Sequence, residues 1–212
     1  MISTDNLKTL PDRNKLYQIC KSISVLDAIF AEEWIDRYFS FQSNWSDTEE
    51  FFEMRNGEGD QVLILFQNDG CVINGMTHEY YPKDKNKLVN GLPEKYHEFI
   101  FGEPVNSIGT TFCIWTNINS KWTVGEIIDF NDGSSEVLNI FDCNPQTYFN
   151  WAKEYFEIDY QDDKSALNTI KQIYQGDTLT RTMVYSLNKD FEHWQQLSDD
   201  LKEINYTSNF EK

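Results

Sequence analysis

The sequence predicts an α+β fold: about six strands in a mainly antiparallel meander, with an N-terminal helix and a C-terminal run of helices packed on the sheet. Three observations carry this reading. Short β-rich runs crowd residues 34–141, helical spacing takes over from 145 to about 205, and Asp-Gly pairs punctuate the strand region. A stretch of strands followed by a block of helices is the order of α+β domains. Strands joined by short turns pair antiparallel.

The centre of the pattern is residues 60–79, DQVLILFQNDGCVINGMTHE. Residues 62–66 are an unbroken apolar run, and 71–76 are a second, mostly apolar one. Asp69-Gly70 between them suits a type I′ hairpin turn, which needs φ > 0 at both central residues. That turn places Phe66 opposite Ile73, Leu65 opposite Asn74 and Leu63 opposite Met76. A first strand apolar on both faces belongs in the middle of its sheet.

The other elements follow in chain order. Residues 1–12 are polar and expected to be frayed. Leu16, Ile19, Ile23, Leu26, Ile29 and Phe30 recur at spacings of three and four, a helix over 13–31 opened by Pro11-Asp12. Residues 34–41 alternate, with Ile35, Arg37, Phe39 and Phe41 on one face of a half-buried strand. Asp47 is placed to cap a short helix over 49–54. Pro93 and Gly102 bracket a short helix whose buried face is Tyr96, Phe99 and Ile100. Residues 110–116 and 122–128 read as paired strands, and Asp132-Gly133 as a turn into a last strand over 136–141. Asn144-Pro145 then caps the first C-terminal helix. The second spans about 164–175 and stops at Gly176, the third begins near Thr178, and the last begins at an Asp190 cap and carries Phe191, Trp194, Leu197, Leu201 and Ile204. Residues 1–212 read as one domain, with 159–164 the best candidate for an internal boundary.

Composition narrows the function. Hydrophobic residues make up 40% and aromatics 15%, enough for a packed core. No apolar run is long enough to cross a bilayer. The first residues lack a basic segment followed by an apolar one, so no secretory signal is expected and a cytoplasmic location is the default. The net charge is −17, which repels phosphate backbones and anionic lipid and favours basic partners. Cys20, Cys71, Cys113 and Cys143 lie far apart, without the close spacing of zinc or dithiol motifs. They read as buried, reduced thiols.

No catalytic motif assembles locally. His78-Glu79 fails the H-E-x-x-H metal pattern, because Pro82 stands where the second histidine belongs. Cys71 and His78 fall on opposite faces of one strand, roughly 23 Å apart. No phosphate loop, dinucleotide fingerprint or nucleophile elbow occurs. No catalytic residue, metal ligand or cofactor is therefore assigned. The candidate partner or ligand site is Trp45, an aromatic anchor in a polar loop with acidic flanks, together with Glu53, Arg55, Asp60, His78 and Glu79 at the open end of the central hairpin.

Three stretches, FFEMRNGEGDQVLILFQNDGCVINGMTHE, GTTFCIWTN and NPQTYFNWAKEYFEIDY, together resemble an uncharacterised family of small acidic bacterial proteins; the resemblance implies no activity. LPEKYHEFI resembles the short helix of SMI1/KNR4-like immunity proteins, which implies an immunity-type binder. The leading expectation is a non-catalytic binding protein, immunity-like, that offers an acidic surface to a basic protein partner. The rival is an enzyme whose site lies at the hairpin's open end, and a structural homo-oligomer is a third possibility.

Overall fold

The computed structural model describes residues 1–80, 84–116, 121–127, 131–160 and 162–210. Helix α1 (Arg13–Phe30) begins where the Asp12 carboxylate accepts the amides of Asn14 and Lys15, both at 3.0 Å. That side-chain cap satisfies two donors the helix cannot pair itself. Strands β1 (Phe39–Gln42), β2 (Glu49–Arg55), β3 (Gln61–Gln67) and β4 (Gly70–Met76) follow. Three short helices come next, α2 (Lys85–Leu88), α3 (His97–Phe101) and α4 (Val105–Ile108), and then β5 (Phe112–Thr116) and β6 (Trp122–Val124). The strands form one sheet in the order β1-β2-β3-β4-β5-β6, every neighbour antiparallel. Helices α5 (Ser134–Val137), α6 (Pro145–Tyr155) and α7 (Asp163–Gln175) lead to β7 (Leu179–Thr180), α8 (Arg181–Leu187), α9 (Trp194–Ile204) and β8 (Ser208–Asn209). The last strand pairs with β7 in parallel.

The α+β class holds, and β3 is central as its two apolar faces require. Val62, Ile64 and Phe66 face a core shared with α1 and the C-terminal helices. Leu63 and Leu65 face a second core with Leu88, Tyr96, Phe99 and Ile100. Helices α2, α3 and α4 cover this second face. The second cover exists because Leu63, Leu65, Val72, Cys113 and Trp115 form an apolar face that must also leave water.

The hairpin register differs from the expected one by two residues. Phe66 pairs with Cys71, Leu65 with Val72 and Leu63 with Asn74. The turn is Asn68-Asp69, and neither residue nor Gly70 has a positive φ, so no type I′ geometry is needed. Gly70 is required for space instead: a Cβ there would lie 2.5 Å from the Tyr96 hydroxyl and 2.7 Å from Thr116 Oγ1. An even slip leaves every side chain on its predicted face, which is why the core assignment survived it. Gly75 is tighter still. A Cβ would stand 2.0 Å from Phe112 Cζ, its cross-strand neighbour. Gly75→Ala is expected to lower stability by about 1–3 kcal/mol in urea denaturation, the usual cost of overpacking a core; an unchanged midpoint would show that the Phe112 ring moves aside freely.

Several boundaries are corrected. Residues 49–55 are strand rather than an Asp47-capped helix, because Phe52 and Met54 face one core and Phe51 the other, a period of two. β3 also needs a hydrogen-bonding neighbour on that side. Residues 136–141, expected as strand, are helical. Gly133 takes φ 77°, the Asp132 carboxylate accepts the Ser134 amide at 2.9 Å, and Val137, Leu138 and Phe141 then share a helical face. Residues 34–36 form a 3-10 turn, so strand begins only at Phe39. The last long helix starts at Trp194, with Phe191 buried ahead of it. The N-terminal segment is anchored rather than frayed: Ile2 and Leu10 are buried, and Thr4 donates to the Asp132 carboxylate at 2.5 Å. Residues 81–83 and the end of the strand expected over 122–128 fall outside the described residues.

Cys20, Cys71 and Cys113 are buried free thiols, as expected, and burial pushes Cys71 and Cys113 up to about 12. Cys143 is exposed, in a left-handed conformation at φ 64° ahead of the α6 cap.

Candidate functional site

The open end of the hairpin is built by the turn from β2 to β3. Asn56 organises it. Its Oδ1 accepts the amides of Glu58 (2.8 Å) and Asp60 (2.9 Å), and its Nδ2 donates to Asp60 Oδ2 at 2.9 Å. Gly57 (φ 76°) and Gly59 (φ 114°) supply the left-handed backbone this tight turn demands. Asp60 then reaches across to the end of β4. Its Oδ1 accepts the His78 amide at 2.8 Å and lies 2.8 Å from His78 Nδ1. The hydrogen bond to Asp60 holds the imidazolium and raises the His78 pKa above its usual value.

The six predicted residues are only partly gathered. Asp60 and His78 meet, and the adjacent Glu79 adds negative charge beside the imidazole. Arg55 enters the same turn, but its guanidinium is committed. It lies over the Trp34 ring, 3.6 Å from the centroid, and donates to the Arg37 carbonyl at 3.2 Å and to the Trp34 carbonyl. Glu53 sits two residues back on the strand, half-buried, its carboxyl raised by burial and drawn back by Arg55. Trp45 is elsewhere. It stacks on Phe51 at 4.4 Å, about 13 Å along β2 from Arg55, so it is no part of a site with the other five.

Beside the Asn56–Gly57 turn a cleft of about 550 Å³ opens, which the sequence did not suggest. Its walls come from three distant segments: Ala31–Arg37 after α1, Arg55–Gly57, and Tyr155-Phe156 at the end of α6. Tyr155 stacks on Trp151 at 4.9 Å and meets Tyr38 edge-on at 4.9 Å, and Phe156 packs on Phe30 at 5.2 Å. Packed aromatic rings therefore line this side of the cleft. Burial raises the Tyr38 hydroxyl to about 12, and Asp60, Tyr155, Asp27 and Glu58 add to the rise. Arg37 also lines the cleft but is neutralised by Asp200, with paired contacts of 3.0 and 2.6 Å. Asn56, Ile35 and Tyr155 carried no signal in the sequence that marked them for one place. Only Gly57 and Gly59 mark the turn in the sequence.

Among the described residues no group of three or more His, Cys, Asp or Glu side chains is placed to hold a metal ion. No described helix is long and apolar enough to cross a membrane. No protein-family model, curated protein or solved structure matches the chain.

Proposed function

We propose that this chain is a binding protein, immunity-like in mode, whose acidic surface engages a basic protein partner. The observation that carries the reading is the net charge of −17 over 212 residues. A field of that size accelerates encounter with cationic proteins and repels polyanions. The state of the gathered polar residues adds support. Both Asp60 oxygens are filled, one by His78 and the other by Asn56. Arg55 is spent on two carbonyls and an indole ring. These groups shape a turn and a wall, a role that suits a recognition surface better than proton or group transfer.

Affinity capture from native lysate at low and moderate salt, followed by titration of the recovered protein in purified form, tests the proposal. A basic partner is expected, with an affinity that weakens by about tenfold or more as salt screens the exposed charges. Recovery of nothing at any salt, or of a partner whose affinity ignores salt, would overturn it.

A further inference from the structure

The 550 Å³ cleft joins an apolar rim to unpaired negative charge. Ile35 on its wall is 75% exposed and Tyr155 is 43% exposed, with Trp34, 47% exposed, next to Ile35. Large apolar side chains left in water side by side are the mark of an interaction surface. Both arginines in the walls are already engaged, Arg37 by Asp200 and Arg55 by Trp34. Two nearby carboxylates are not. Asp36 and Glu58 have no ion-pair partner among the described residues, and both lie near enough to Tyr155 to raise its hydroxyl pKa beyond what burial does. The Glu32 carboxylate, also in the wall, pairs with the exposed His193 at 2.6 Å.

We infer that this cleft receives an apolar side chain of the partner, seated between Ile35 and Tyr155 and flanked by lysine or arginine residues that reach Asp36 and Glu58. The inference rests on the reading that the partner is basic and adds where and how it docks. Charge complementarity decides the occupant: a second copy of this chain would bring its own −17 against these carboxylates, whereas a cationic segment relieves them. The aromatic side of the cleft is packed in advance, so little ordering is lost on binding.

Two amidated peptides test it against the full-length chain: one with a central leucine between three lysines on each side, and a control with serine for the leucine. Affinity is read by calorimetry and location by amide chemical shifts. The leucine peptide should bind about tenfold tighter, the worth of burying one aliphatic side chain, and should shift the amides of Ile35, Gly57 and Tyr155. Ile35→Ser, at an exposed position, should erase that preference while leaving the circular dichroism spectrum unchanged. The double variant Asp36→Asn/Glu58→Gln should weaken both peptides. Equal binding of the two peptides, with shifts spread over other faces and no effect of Ile35→Ser, would overturn the docking mode while leaving an acidic binding surface in place. Failure of both peptides to bind even at low salt would overturn both.

Discussion

Arg37→Met is expected to destabilise the protein by about 3–5 kcal/mol, the usual cost of leaving one charge of a buried pair alone. Arg37 and Asp200 are both nearly inaccessible, and their side chains meet through two parallel hydrogen bonds. The same guanidinium donates to the carbonyls of Ala31 (3.1 Å) and Glu32 (2.9 Å), so one residue fastens the turn after α1 to helix α9. Its loss leaves the Asp200 charge uncompensated, with the Gln196 amide still donating to it at 3.1 Å, and frees two carbonyls together. The double variant Arg37→Met/Asp200→Leu removes the stranded charge and should recover much of that loss. Urea denaturation of the two single variants and the double variant forms a cycle whose coupling term is expected to exceed 1 kcal/mol. Added salt should change the coupling little, since a buried pair is poorly screened. A single variant within experimental error of the parent would show that the pair does not hold the turn.

The second large effect is on pH dependence. Asp27 is fully buried near the C-terminal end of α1, and burial raises its carboxyl from 3.8 to about 7. The amides of Phe39 (2.9 Å) and Tyr38 (2.7 Å), the Tyr148 hydroxyl (3.3 Å) and the nearby Arg37 charge all favour the ionised form and pull it back, but less strongly. Because the folded pKa exceeds the unfolded one, the folded state takes up a proton that the unfolded chain has released. The resulting stability is complete below about pH 4 and is lost as pH rises through about 7. Between pH 5.5 and 8 the parent should lose about 2 kcal/mol from this group. Asp27→Asn keeps an oxygen for the two amides and cannot titrate. The difference between the parent and Asp27→Asn stability profiles should therefore carry the whole slope, separated from the general repulsion among the other carboxylates. Parallel profiles from pH 5.5 to 8 would contradict the raised carboxyl. Asp27→Ala should be worse at every pH, since it leaves the Tyr38 and Phe39 amides without their acceptor.

Part of the candidate site was legible in the chain. Asp60, His78 and Glu79 were placed together because a hairpin brings its two open ends together whatever its turn. The expected register set Asp60 opposite Glu79, and the observed one moves it to Thr77, with His78 beside it. Trp45 is exposed, as an aromatic in a polar loop suggests, but it stacks on Phe51 toward the far end of β2, away from the other five. The cleft was not legible at all. Ile35 reads as an inward residue of a regular strand, and it is the fastening of Arg37 to Asp200 and of the Trp34 and Arg37 carbonyls to Arg55, all distant in sequence, that turns that segment into a wall.

By itself the sequence determined what depends on near neighbours: the Asp12-capped helix α1, the doubly apolar and therefore central β3, the Asn144 and Gly176 helix limits, and the order of strands before helices. These follow from side-chain spacing and capping chemistry, which act within a few residues. Tertiary structure alone decided that residues 49–55 are strand and 136–141 helix, that short helices cover the second sheet face, and that Ile35, Gly57 and Tyr155 share one cleft. Each of these rests on a partner distant in the chain, a neighbouring strand's hydrogen bonds or a facing apolar layer, and backbone pairing and burial are satisfied over the whole fold.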